Sequence, residues 1–131
     1  MVEELNQAAA DALVEFGLRL ETEAKKELQP GHGVVTGTLR RSIHTSGPSY
    51  NWEADNVEPG EGTPDRGGGR ITPEREGNAL VIETGSGMEY AMAVHQGHGS
   101  FEGYHFLTGP FDRIKDSFAR ILERKAKARM K

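Results

Sequence analysis

The sequence predicts an α+β fold: a small antiparallel sheet packed with a long N-terminal helix and a long C-terminal helix, with a long Gly/Pro-rich acidic loop. Three observations predict it. Apolar residues recur in steps of three and four near both ends of the chain, the period of a helix with one buried face. Between the ends, short β-branched runs alternate with turn residues. Most of the 17 Gly and 6 Pro fall between Pro30 and Pro110, which places the irregular backbone in the middle.

The chain has 131 residues, and a division would leave halves too small to bury a core, so residues 1–131 are expected to form one domain. Hydrophobic residues make up 35%, below the roughly 45–50% of ordinary globular chains. Core per residue is therefore limited, and stabilisation by partner subunits is expected. A net charge of -4 is not that of a free nucleic-acid binder. With no cysteine, disulfides, thiolate zinc sites and cysteine nucleophiles are excluded. The absence of a long apolar run argues against a signal segment or membrane span, so a soluble, unexported protein with no membrane partner is expected.

From Glu3 to Leu28, the residues Leu5, Ala9, Ala12, Leu13, Phe16, Leu20, Ala24 and Leu28 form one helical stripe, stopped by Pro30-Gly31. Gly17 weakens this helix by roughly 1 kcal/mol relative to Ala. The opposite face is acidic, with Glu3, Glu4, Asp11, Glu15, Glu21, Glu23 and Glu27. Thr36 is placed to cap a short helical turn, and Ile43 with Thr45 favours a strand after it. Residues 47–69, with three Pro, many Gly and Glu53, Asp55, Glu58, Glu61 and Asp65, read as a flexible, mobile acidic loop insertion anchored by Tyr50 and Trp52.

Arg70–Glu76 and Ala79–Thr84 read as a hairpin turning at Glu76-Gly77-Asn78, joined to the Ile43 strand in one sheet. Met88–Gln96 reads as a short helix ended by Gly97. A last helix is expected to start at Pro110 and run almost to the end, with Phe111, Ile114, Phe118, Ile121 and Leu122 on its apolar face. Its cations, Arg113, Lys115, Arg120, Arg124, Lys125, Lys127, Arg129 and Lys131, oppose the acidic first helix. Such polarity suits packing between identical subunits, with DNA as the second candidate.

Candidate chemistry is sparse. His95, His98 and His105 suggest a small His-dependent metal hydrolase, but they lack the i, i+4 pair of the zinc protease motif and a compact second shell. Ser42 and His44 do not by themselves make a nucleophile with its base. Gly67-Gly68-Gly69 lacks the Lys-Ser/Thr of a phosphate loop. No catalytic residue, metal or cofactor is expected.

Three motifs remain, in order: Thr36-Gly37-x-Leu39-Arg40-x-Ser42-Ile43; Glu89-Tyr90-Ala91-x-x-Val94-His95-x-Gly97, preceded by Glu83-Thr84-Gly85; and Phe106-Leu107 before the last helix. Together they resemble the head-to-tail joining family of long-tailed bacteriophages, whose members are also described as neck, tail-completion or minor tail components. The resemblance spans nearly the whole chain. It implies a non-enzymatic virion protein of the neck or tail, assembled in the host cytoplasm. It further implies a homo-oligomeric ring, six-fold or less often twelve-fold, that joins the DNA-filled head to the tail tube. The implied neighbours are a head-completion or stopper protein and a tail terminator or tail tube protein, with genomic DNA passing through the channel without sequence recognition. A tail terminator ring is the neighbouring alternative.

On this reading the motif residues are structural or interfacial. Thr36, Gly37, Leu39, Ile43, Gly97, Phe106 and Leu107 are expected to shape turns and core, with Gly37, Gly85 and Gly97 at sharp turns. Arg40, Arg41, Tyr90, His95, Arg120 and Arg124 are the candidate contacts with subunits or partners, and Tyr90 and His95 are expected to hydrogen-bond across the sheet edge.

Overall fold

The computed structural model describes residues 2–28, 34–55, 71–97, 99–100 and 102–129. Its spine is the 26-residue helix α1 (Val2–Glu27), which carries Glu3 and Glu4 in the first turn and Lys25 and Lys26 in the last, the order that complements the helix dipole. Of the expected stripe, Ala12, Ala24 and Leu28 are buried, whereas Leu5 is exposed. Burial also reaches Ala8, Gly17 and Glu21, because α1 is covered on more than one side. Glu21 thereby leaves the solvated acidic face on which it was expected.

α2 (Val34–Ser42) is a nine-residue helix, not a single turn. Thr36 is its third residue and Gly37 lies within it, so neither serves as the cap or sharp turn that the sequence suggested. Thr38, Leu39 and Ser42 turn inward and are buried. Ile43 then leads straight into β1 (His44–Ser46).

The remaining strands are β2 (Glu74–Glu76), β3 (Ala79–Val81) and β4 (Glu83–Gly85). β2 and β3 form the expected hairpin, with Glu76 opposite Ala79 across Gly77-Asn78. The single sheet expected from the sequence is instead two ladders, because β1 pairs antiparallel with β4, His44 opposite Gly85 and Ser46 opposite Glu83. Only Ile82 separates β3 from β4. A Cβ on Gly47 would stand 2.7 Å from the Thr72 carbonyl oxygen, and the Ser49 amide donates to Glu74 at 2.6 Å. β1 and β2 thus lie end to end along one side of the 79–85 run, and residues 47–73 leave the ladder where a single residue would face Ile82.

The start of that insertion is not the mobile loop expected. Residues 47–50 turn, and Trp52–Asp55 form one 3-10 turn pressed against Gly87, where an added Cβ would collide with the Trp52 carbonyl oxygen. Tyr50 and Trp52 do anchor it, as the sequence suggested. Residues 56–69, the rest of the expected loop, lie outside the described residues.

α3 (Ala91–Gln96) is shorter than expected and ends at Gly97, with φ 90°. The single C-terminal helix expected from Pro110 is two helices, α4 (Thr108–Ile114) and α5 (Ser117–Arg129). Pro110 sits third in α4, inside the first turn where its missing N–H costs no helical bond. At the junction the Phe118 amide donates to Lys115 at 3.2 Å, a tighter i, i+3 closure, and the Ser117 hydroxyl donates to the Ile114 carbonyl at 2.6 Å.

α4 and α5 run back along α1. Phe16 meets the rings of Phe111 and Phe118 edge-on, centroids 6.0 and 5.7 Å apart. Arg113 reaches Glu27 at 2.7 Å, Arg124 and Lys125 hold Glu15, and Arg129 meets Asp11 at 2.7 Å. The opposition of acidic and basic helices, read from the sequence as a surface for a neighbouring subunit, is closed largely within the chain. Burial alone would raise the Glu15 carboxyl, but the hydrogen bonds from Lys125 and Arg124 outweigh it and hold the group below its ordinary value.

The main core gathers at the C-terminal half of α1. Ala24, Leu28, Leu39, Ile43, Met88 and Phe106 are buried together, with Tyr90, Ala91, Val94, Tyr104 and Leu107 packed against them. Each large side chain among the buried set contributes about 1.5–3 kcal/mol by leaving water.

Candidate functional site

The second and third sequence motifs meet at the surface edge of this core. β4 brings Gly85 and the following Ser86; α3 brings Ala91, Met92, His95 and Gln96; the entry to α4 brings Phe106, Leu107 and Thr108. Together they line a groove of about 320 Å³. Phe106 is its buried floor at 1% exposure, and Met92 stands on its rim at 64%. The walls are mostly apolar, with His95 as the principal polar group among them.

The chain around His95 explains its position. After Gly97 the backbone returns over α3: the Tyr104 amide donates to the Val94 carbonyl at 3.0 Å and the His105 amide to the His95 carbonyl at 2.9 Å. This return holds the His105 and Phe106 rings 5.5 and 5.1 Å from the His95 ring, both edge-on. It also presents the Thr108 amide to His95 Nε2 at 3.3 Å. Thr108 is the first residue of α4, and its own N-cap residue, Leu107, offers no side-chain cap. His95 therefore caps a neighbouring helix, which requires Nε2 to be an acceptor and the ring neutral. Burial, and then the charge of His105, hold the His95 imidazole below its ordinary value, in keeping with that role.

His95 thus bonds to the entry of α4 and not across the sheet edge, as the sequence suggested. His95 and His105 do come together, while His98 lies outside the described residues. Among the described residues, no three His, Asp or Glu side chains are grouped to hold a metal ion. His95 Nε2 is committed to Thr108, so the hydrolase reading gains no geometric support here.

The other sequence candidates divide by place. Leu39 and Ile43, both fully buried, and half-buried Tyr90 belong to the core below the groove. Gly97 ends α3 beside it. Arg40 is turned to α1, where its Nε donates to the Lys25 carbonyl at 2.9 Å and satisfies one of the open acceptors of the helix end. Arg41 is exposed and donates to Thr38 Oγ1 at 3.3 Å. Arg120 and Arg124 are on α5, where with Glu123, Lys127 and Ala128 they line a separate shallow depression. An added Cβ on Gly37, within α2, would stand 3.7 Å from the Arg41 guanidinium.

Sequence reading missed a buried polar corner behind the groove. His44 Nδ1 lies 2.9 Å from the Ser42 carbonyl oxygen, and His44 Nε2 faces Asp55 at 3.5 Å, both side chains nearly inaccessible. Tyr50 donates to Asp55 at 2.6 Å. The Tyr50 and Trp52 rings pack on His44 with centroids 5.0 and 4.6 Å away, and the Trp52 indole N–H donates to Glu83 at 3.0 Å. The presence of Ser, His and Asp does not make a catalytic triad: His44 addresses the Ser42 backbone, while the Ser42 hydroxyl bonds Leu39 and Ser86, each at 2.6 Å. The visible signal was the pairing of His44 with an aromatic and acidic stretch at 50–55, which the loop composition masked.

Comparison with models of known protein families, with curated proteins and with solved structures finds no match to this chain. No helix among the described residues is long and apolar enough to cross a membrane.

Proposed function

We propose that the chain is a non-enzymatic structural subunit of a bacteriophage head-to-tail connector. In this role it forms a ring, six-fold or twelve-fold, between a head-completion protein and the tail tube or its terminator, with DNA passing through the channel. The observation that carries this reading is the convergence of the motifs. Leu39 and Ile43 of the first, Tyr90, Ala91 and Val94 of the second, and Phe106 and Leu107 of the third join one core. The exposed edge of that core is an apolar groove of the kind that receives an anchor from another protein.

A lining of this composition suits a contact surface better than a reaction site, because its histidine is occupied as a helix cap. Four of the seven described α4–α5 cations close on acidic residues of α1, which favours assembly over DNA binding. The deciding test is mass spectrometry of virions that carry this gene, with electron microscopy of the neck. The chain is expected as a ring below the portal. Virions without a copy of it would remove the reading.

A further inference from the structure

We propose that His44 is a buried imidazolium whose second ring proton, held against Asp55, latches residues 50–55 onto the body of the protein. When that proton leaves with rising pH, the latch opens. The proposal goes beyond the assembly reading and does not rest on it.

The hydrogen-bond pattern around His44 calls for two ring protons. Nδ1 lies 2.9 Å from the Ser42 carbonyl oxygen, which can only accept, so Nδ1 carries a proton. Nε2 lies 3.5 Å from Asp55 Oδ2, and both atoms are enclosed with no other hydrogen-bond partner among the described residues. A neutral ring protonated at Nδ1 would turn the Nε2 lone pair toward a carboxylate, two acceptors facing each other away from water. Each would then bear its full desolvation cost. A proton on Nε2 converts the clash into an ion pair. Two neighbours favour its place on the ring. Tyr50 donates to Asp55 Oδ1 at 2.6 Å, a bond that is strongest to an ionised carboxylate. Trp52 lies over the imidazole, centroids 4.6 Å apart and planes 32° from parallel, where an aromatic face attracts a cation.

The sheet sets which other charges His44 meets. Thr45 turns toward Gly17 of α1, so His44, its neighbour along β1, faces the other way, and α1 with its buried Glu21 lies behind the strand. Glu83 pairs with Ser46 and therefore shares the face of His44; its carboxylate accepts from the Trp52 indole at 3.0 Å. From α2 comes the Ser42 carbonyl, while Arg41 is turned to Thr38. Asp55 and Glu83 both favour a charged ring.

The same contacts explain the opening. Residues 50–55 are tied down by Asp55, by the Tyr50 and Trp52 rings on His44, and by the fit of Trp52 against Gly87. Without the Nε2 proton, the first tie becomes a repulsion and the second loses its cation. The closed form binds the proton, so closure is favoured at low pH and weakens as pH rises. Gly87 follows Ser86 of the groove wall, which places the latch directly behind the groove.

Trp52 is the only tryptophan in the chain, so its fluorescence reads the latch without a label. NMR of protein carrying nitrogen-15 histidine should show both His44 ring nitrogens protonated at pH 7. As pH is raised, loss of the Nε2 proton should coincide with a red shift of Trp52 emission, before any loss of helical circular dichroism. Asp55→Asn offers an amide donor to a bare Nε2 and keeps an acceptor for Tyr50. It should hold Trp52 packed with a single ring proton on His44 at pH 7 and lose the alkaline transition. A bare Nε2 in the wild type at pH 7 overturns the proposal. So does a proton that leaves without moving the Trp52 signal, or only as the whole chain unfolds, or an Asp55→Asn chain with an unchanged transition. The wild-type measurements decide the matter even if that variant does not fold.

Discussion

On one flank of α1, Phe16 packs against Phe111 and Phe118, and ion pairs from Arg113, Arg124, Lys125 and Arg129 run along the margin in water. On the other flank, the Gly17 carbonyl accepts from Thr45 Oγ1 at 3.0 Å, Thr45 and Thr84 hydroxyls touch at 2.8 Å, and beyond them lie the enclosed His44 and Asp55. Both flanks are rich in polar groups, but their energetics differ. Exposed ion pairs are screened and replaceable. Enclosed polar groups have no solvent to fall back on, so each depends on its partner remaining in place. The helical flank should tolerate substitution where the strand flank does not.

Removing one member of the enclosed pair is the most forceful way to test that contrast. Asp55→Ala is expected to lower the unfolding free energy by about 3–5 kcal/mol, measured by urea denaturation. A loss below about 1 kcal/mol would place this corner with the surface pairs. Gly17→Ala comes next. A Cβ there would stand 2.6 Å from Thr45 Cγ2 and 2.7 Å from Ile82 Cδ1, so overpacking of about 1–3 kcal/mol should exceed the roughly 1 kcal/mol of helix propensity gained. A net stabilisation would mean that the strands can lift from α1.

The cap made by His95 should have a smaller effect that depends on pH. Its folded value is depressed, so the unfolded chain binds more protons as the solution is acidified. The stabilisation is complete above the ordinary histidine value of 6.5 and is lost as pH falls through the lowered folded value. Thermal melts between pH 7 and 5 should show the loss, and His95→Gln should remove that part of it. Least of all, Arg129→Ala is expected to cost about 0.2–1 kcal/mol, and the difference should shrink in 1 M salt.

The helical flank was the legible one. A period of three and four residues marks a helix whatever it packs against, and α1 and the α4–α5 region follow it closely. The break at Lys115-Asp116 was hidden because both segments keep the same apolar phase. The strand flank was harder to read, because its elements are three residues long and held by partners far away in sequence. Gly17 registered as a local weakness in a helix, although its reason for being there is Thr45 and Ile82. His44 registered as a polar residue of a strand and Asp55 as an acidic residue of a loop, since burial is a property of the assembled fold. At the groove, Phe106, Leu107 and His95 were identified from the motifs, while Met92, the most exposed of its apolar residues, carried no signal beyond its place in one of them.

The way residues 47–73 leave the ladder bears on how the chain tolerates changes in length. Their two ends already meet at Gly47 and Thr72, and the first part is pinned through Asp55, so the anchors of this insertion do not depend on its length. Loop-closure entropy grows only with the logarithm of length, about 0.6 kcal/mol for each doubling, well below the effect expected of Asp55→Ala. Insertions or deletions between Asp55 and Ile71 should therefore leave the rest of the fold nearly as stable as before, which makes this the natural place to graft a tag or fluorophore.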